Sequence, residues 1–287
     1  MGGMLKLALW FASGNAFFAG AALLIAAAVV KIISRRKAGA VAARMAALMG
    51  AILVALSATP LPVWFYALWA ASVAWFLFEP DRRPPLPRDA HFAAAAVVVV
   101  TLIAAAWELP YQFTPRVDAA GAKVVVIGDS ISAGVNDDIP IWPAVLRARS
   151  GRDVIDLSEA GLTMARALPK TLSLPAGGSV VILEIGGNDM LEQISARRFE
   201  TDLDRLLAAV SKPGNRVVLM ELPLPMFFNR YGVIQRKLAA KYHATLIPRR
   251  RFAGVLAYSG GTIDGLHLSA KGHQLMAELF EEVLQGR

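Results

Sequence analysis

No charged residue lies between Lys6 and Lys31, and none between Arg44 and Glu79. At 1.5 Å per residue the first stretch outlasts a hydrocarbon core of ~30 Å, which predicts one spanning helix over about residues 7–30. The second would be about 50 Å long as a single helix, more than a bilayer needs. Its Thr59-Pro60-Leu61-Pro62 segment breaks it into a hairpin of two spans, about 41–59 and 61–78. A fourth apolar run, about 90–107, ends at Glu108. The chain as a whole is 56% hydrophobic with a mean hydropathy of +0.49, too apolar for an ordinary soluble domain. The excess sits in residues 1–120, so two domains are expected, a helical transmembrane one over 1–120 and a globular one over 121–287.

Charge orients the spans. Lys31, Arg35, Arg36, Lys37 and Arg44 fall between the first and second, and Arg82, Arg83 and Arg88 between the third and fourth. Basic loops stay cytoplasmic, so the N-terminus and everything after Trp107 are expected outside the cytoplasm, periplasmic or extracellular, on a multi-pass protein of the cell (inner) membrane. Ten basic residues stand against five acidic ones before position 121, and twenty against seventeen after it. The net charge of +8 thus lies mostly beside apolar segments, a pattern that points to the lipid bilayer and away from nucleic acid. Arg44, near a span end, reads as a snorkelling side chain. Ser13, Gly14 and Asn15 read as helix-packing residues inside the first span. With no cysteine, disulfides, thiolate chemistry and Cys-ligated metals are excluded.

Beyond Gly121 the pattern changes to short β-branched runs, 123–127, 153–157, 180–185, 216–221 and a weaker 244–248, separated by helix-like segments. Long helices are expected over about Met190–Val210, Arg230–His243 and Ser269–Gln285. Continuous apolar strands alternating with helices predict an α/β fold with a parallel sheet covered on both faces, whose ligands bind beyond the carboxyl ends of the strands.

Four strand-end features carry chemistry. Gly128-Asp129-Ser130 after the first strand places Ser130 at a helix start, where backbone N–H groups favour developing negative charge; the same turn also reads as a plain helix cap. Asp264 and His267 are three residues apart, a spacing that lets the carboxylate hold one imidazole nitrogen while the other acts as a base. Gly161 after the second strand offers a backbone N–H, and Asn188 in Gly186-Gly187-Asn188-Asp189 offers a side-chain amide, as donors to an oxyanion. His273 lacks an aspartate three residues before it and reads as packing or surface. His91 and His243 show no metal-ligand pattern. Arg249–Arg251 reads as a solvated face. Met226, Phe227 and Phe228, after the fourth strand, are candidates for lining an acyl pocket.

Taken together, Gly128-Asp129-Ser130, Gly161, Gly187-Asn188-Asp189 and Asp264-x-x-His267 resemble the four sequence blocks of SGNH hydrolases, the GDSL esterases, over about residues 122–285. The segments Trp142-Pro-Ala-Val-Leu, Glu221-Leu-Pro-Leu-Pro and Lys271-Gly-His-Gln-Leu-Met-Ala-Glu-Leu-Phe are similar to the lysophospholipase, acyl-thioesterase and arylesterase branch. The resemblance implies a flavodoxin-like three-layer α/β/α domain, no metal or organic cofactor, and hydrolysis through an acyl-enzyme. Ser130 would be the nucleophile, His267 the base and Asp264 its orienting partner, with Ser130 N–H, Gly161 N–H and Asn188 forming the oxyanion hole. Leu268 stands where the family often has proline, and the lead-in to Gly161 departs from the usual Asn-Ala-Ser type, which bears on subfamily and substrate.

The expected activity is that of a membrane-anchored serine esterase acting on an acyl ester, whether lipid, thioester or acylated glycan. The competing expectations are an O-acyltransferase that passes the acyl group to a glycan or lipid, and a non-catalytic membrane scaffold.

Overall fold

The structure is a computed structural model that describes residues 2–34, 36–79 and 88–285. Arg35, Arg82 and Arg83 of the basic loops lie outside the described residues. The chain divides into two compact units. One comprises Trp10–Gln112 and Leu224–Arg230; the other comprises the chain up to Leu9, Phe113–Pro223 and the chain from Tyr231 onward.

The first unit is helical. Its elements are α1 (Gly2–Ala12, shared between the units at Leu9), α2 (Asn15–Ile33), α3 (Lys37–Leu56), α4 (Val63–Phe78) and α5 (Arg88–Glu108). The single span expected over 7–30 is therefore two helices. Ser13 Oγ donates to the Trp10 carbonyl at 3.0 Å, and Gly14 takes a left-handed conformation (φ 87°) that ends one helix and starts the next. Among the described residues α2, α3 and α5 are long and apolar enough to cross a membrane. With 16 residues, α4 is shorter. The prolines of 60 and 62 separate α3 from α4 as expected, and the turn is tied by Ser57 Oγ to the Val54 carbonyl (2.7 Å) and Tyr66 Oη to the Thr59 carbonyl (2.8 Å). α2 and α3 meet through small residues: a Cβ on Gly20 would come within 2.6 Å of the Gly50 carbonyl oxygen. Lys31 is buried, its ammonium donating to the Phe76 carbonyl (2.8 Å), and Arg44 donates to the Glu79 carbonyl (2.8 Å). Both cations thus bind carbonyls at the C-terminus of α4, where the helix dipole is negative. Arg44 does more than snorkel.

The second unit is α/β. Its strands are β1 (Lys123–Gly128), β2 (Val154–Asp156), β3 (Ser179–Glu184), β4 (Arg216–Met220) and β5 (Thr245–Ile247), all parallel in the order β2-β1-β3-β4-β5. The β-branched runs fell within a residue or two of these bounds. The helices are α6 (Ser130–Ala133), α7 (Trp142–Ser150), α8 (Met164–Ala167), α9 (Gly187–Leu191), α10 (Ala196–Val210), α11 (Asn229–Lys241), α12 (Arg249–Ala257) and α13 (Ala270–Val283). The helix expected over 190–210 is divided, because Gln193 turns left-handed (φ 56°) and Ser195 Oγ accepts from the Arg198 N–H to start α10 afresh. The Arg249–Arg251 run opens α12 instead of forming a solvated face. Arg249 is buried, with its N–H on Glu221 Oε2 (3.0 Å), and Arg251 pairs with Glu282.

Val124, Val126, Val180, Ile182, Val218 and Met220 join α7 and α13 side chains in a core in which Trp142 stacks on Phe280 at 4.6 Å between centroids and 16° between planes. Fully burying such an aromatic ring stabilises the fold by roughly 1.5–3 kcal/mol. Leu9, at 8% exposure, belongs to this same core, and Leu5 packs against it. The first two turns of α1 therefore fold with the sheet.

Candidate active site

Strand register fixes which loops meet. Gly128 pairs with Glu184 and Val126 with Asp156, so β1, β2 and β3 end at one edge of the sheet and their loops emerge together. At the end of β1, Asp129 caps α6 by accepting the Ile131 N–H on Oδ1 (3.0 Å), which leaves Ser130 half-buried as the first helical residue. Gly128 must be glycine: a Cβ there would sit 2.3 Å from Ser132 Oγ.

Beneath Ser130 lies a buried polar chain that sequence reasoning missed. Trp142 Nε1 donates to Ser132 Oγ (3.1 Å), and Ser132 Oγ donates to Glu184 Oε2 (2.8 Å). Burial, reinforced by Asp129 nearby, pushes the Glu184 carboxyl well above its ordinary value. His273 is likewise buried, its Nδ1 accepting from the Trp142 backbone N–H (3.2 Å); burial holds its pKa at about 4. It is a neutral packing histidine, as its lack of an aspartate three residues earlier suggested.

Asn188 and Asp189 tie the loop after β3 to the loop after β2. Asn188 Nδ2 donates one hydrogen to the Leu162 carbonyl (3.1 Å), leaving the second hydrogen of the same amide for another acceptor. Asp189, buried, accepts from the Met164 N–H at 3.1 Å, and desolvation pushes its pKa up to about 6. These bonds bring Asn188 beside the segment that opens with Gly161, which is exposed and left-handed (φ 74°).

The last element is a closed loop ahead of α13. Thr262 and Leu268 form an antiparallel bridge, and the Ile263 N–H reaches the His267 carbonyl (2.9 Å). Inside it, Asp264 Oδ2 is 2.7 Å from His267 Nδ1, while Oδ1 accepts the N–H groups of Leu266 (2.9 Å) and His267 (2.8 Å). The imidazole and those two donors hold the Asp264 carboxyl well below the usual carboxylate range. At the start of α6, burial raises the pKa of the Asp129 carboxyl to about 6. Met226, Phe227 and Phe228 belong to the segment grouped with the helical unit. There Phe227 is exposed with φ 70°, and neighbouring Asn229 donates to the Thr59 carbonyl (2.9 Å) and to Tyr66 Oη (2.8 Å).

Residues 126–275 match the GDSL-like Lipase/Acylhydrolase family, a stretch that holds Ser130, Gly161, Asn188, Asp264 and His267. The chain belongs to that family and is an ester-hydrolysing enzyme. Among its relatives is the thioesterase 1/protease 1/lysophospholipase L1 of Escherichia coli, 27% identical over 192 residues that cover 62% of this chain and 92% of that protein. The arylesterase of Vibrio mimicus is 27% identical over 184 residues, covering 58% of this chain and 89% of its own. The crystal structure of TesA aligns with 26% identity over 57% of this chain and 98% of that one, with a TM-score of 0.49.

Proposed function

We propose that this protein is a membrane-anchored serine esterase that cleaves acyl esters through an acyl-enzyme, with Ser130 as nucleophile, His267 as base and Asp264 as its partner. The observation that carries the reading is the Asp264–His267 pair. The carboxylate is fixed by two backbone N–H groups and binds Nδ1, so the Nδ1–H tautomer is favoured and Nε2 keeps its lone pair for the Ser130 proton. As the alkoxide attacks the ester carbonyl, the developing oxyanion is met by the N–H of Ser130 at the start of α6, the N–H of Gly161 and the remaining Asn188 amide hydrogen. His267 then returns its proton to the leaving oxygen, and water repeats the sequence to release the acid.

Within the 1–120 segment, the apolar helices α2 to α5 are assigned to a bilayer, anchoring the hydrolase domain outside the cytoplasm. Supporting this are the three long apolar helices and the basic residues between α2 and α3. The substrate class is an acyl ester of a lipid, a thioester or an acylated glycan. The names of the relatives, which include a thioesterase, a lysophospholipase and an arylesterase, support that range.

Labelling membranes with a fluorophosphonate tests the reading. The wild-type protein is expected to label and Ser130→Ala to remain blank, with ester turnover falling on the order of 10⁴-fold or more in Ser130→Ala and His267→Ala. Labelling or turnover that persists in folded Ser130→Ala removes Ser130 from its role.

A further inference from the structure

The loop that carries Asp264 and His267 is supported at Gly265 by an element from the other end of the chain. Gly265 is left-handed (φ 96°), and among the described residues the nearest atoms to a Cβ built on it belong to Leu5: Cδ2 at 3.4 Å and Cδ1 at 3.8 Å. Leu5 is held in turn by the core that Leu9 enters one helical turn later. Beside this contact the loop borders a cavity of about 500 Å³ lined by Met4, Leu5, Lys6, Tyr258, Ile263 and Asp264. The Leu5 isobutyl group therefore stands next to open space, where a packed wall would otherwise back the loop.

We propose that Leu5 is a positioning residue for the reaction: α1 clamps Gly265, and through it sets where Asp264 holds the His267 ring. The proposal rests on the triad reading above. Its physical basis is short-range. The Thr262–Leu268 loop is closed on itself by one bridge and the Asp264 hydrogen bonds, which fix its internal shape. Its placement as a body depends on what it packs against, and a shift of about 1 Å in a catalytic group can cost on the order of 100-fold in rate. Leu5 acts through Gly265.

The test compares wild type, Leu5→Ala, Leu5→Met and Ser130→Ala as full chains in detergent, assayed with p-nitrophenyl butyrate. Leu5→Ala is expected to lower kcat on the order of tenfold while KM and the thermal midpoint hold, and Leu5→Met, which refills the contact with a side chain of similar volume, is expected to restore kcat. Leu5→Val serves if Leu5→Ala is not recovered folded, with a smaller drop in kcat expected. An unchanged kcat in the Leu5 variants beside an inactive Ser130→Ala overturns the clamp and leaves the triad standing. A parallel fall in kcat and thermal midpoint that Leu5→Met does not rescue also overturns it, since that is ordinary loss of packing. Full turnover in Ser130→Ala fails the triad reading itself, and the clamp with it.

Discussion

His273 gives a quantitative handle on the interior of the hydrolase unit. Buried against Trp142, it accepts the Trp142 N–H on Nδ1 and is held at about pKa 4, against an ordinary 6.5. Below pH 6.5 the unfolded chain binds a proton there that the folded chain refuses, so this residue makes stability fall as the pH drops towards 4. Its full contribution is about 3 kcal/mol, of which about 2 kcal/mol is lost between pH 7 and pH 5. Asp129 and Asp189 act in the opposite sense. Raised to about 6 by burial, they bind protons in the folded state that the unfolded chain has released, and so favour the fold as pH falls from about 6 to about 4. The wild-type profile is thus a partial cancellation, and His273 is isolated by substitution. His273→Gln keeps an acceptor for the Trp142 N–H without a titratable nitrogen. The local opening free energy of α7 and α13, read by hydrogen exchange at pH 7 and pH 5, is expected to fall by about 2 kcal/mol more in the wild type than in His273→Gln. Because the chain holds four histidines, selective ¹³C labelling gives a direct second reading, with the His273 resonance unchanged down to about pH 5. Identical pH dependence in the two proteins, or a His273 resonance that titrates near 6.5, refutes the reasoning.

Three other outcomes follow from the same geometry. Phe280→Ala removes the ring stacked on Trp142 and is expected to destabilise the hydrolase unit by about 3–5 kcal/mol, measured by denaturant unfolding. Asn188→Ala is expected to cost on the order of 10²–10³-fold in kcat with a smaller change in KM, and a loss under tenfold excludes its amide from the oxyanion hole. Asp189→Asn keeps an acceptor for the Met164 N–H but removes a carboxyl whose raised pKa makes stability fall as pH rises from about 4 to about 6. A flatter midpoint-versus-pH curve over that window, by about 2 kcal/mol, is expected from thermal unfolding.

The sheet was readable in the chain because each strand is a short β-branched run bounded by glycine or polar residues; parallel burial removes the alternation that would mark a strand, and the shortness and β-branching of the runs distinguish them from helices. Ser130 and Asn188 could be found for a related reason: each sits just after a strand, where the fold class directs attention, whereas Asp264 and His267 stand between α12 and α13 and were found by their spacing and chain order. Hidden features depended on contacts far apart in sequence. The Trp142–His273 hydrogen bond joins residues 131 positions apart, and Ser132 meets Glu184 across 52. The break at Gly14 was masked because Ser13 and Asn15 are uncharged and lie in a long apolar stretch, and hydropathy measures composition and not backbone conformation. Arg249 misled in the opposite direction, because three successive arginines read as exposed until Glu221 supplies a buried partner for the helix start. Leu9 fell inside the span expected over 7–30, because hydropathy does not separate a leucine facing lipid from one packed on a sheet.

Leu9 in the hydrolase core also gives the proposed bilayer assignment a condition of parity. The chain leaves that core after Leu9, runs through α2, α3, α4 and α5, and rejoins the same folded unit at Phe113. A path that departs from a body on one face of a barrier and returns to it must cross the barrier an even number of times. If α2, α3 and α5 all traverse a bilayer, the 16-residue α4 cannot lie along its surface, and must complete the count despite being the shortest of the four.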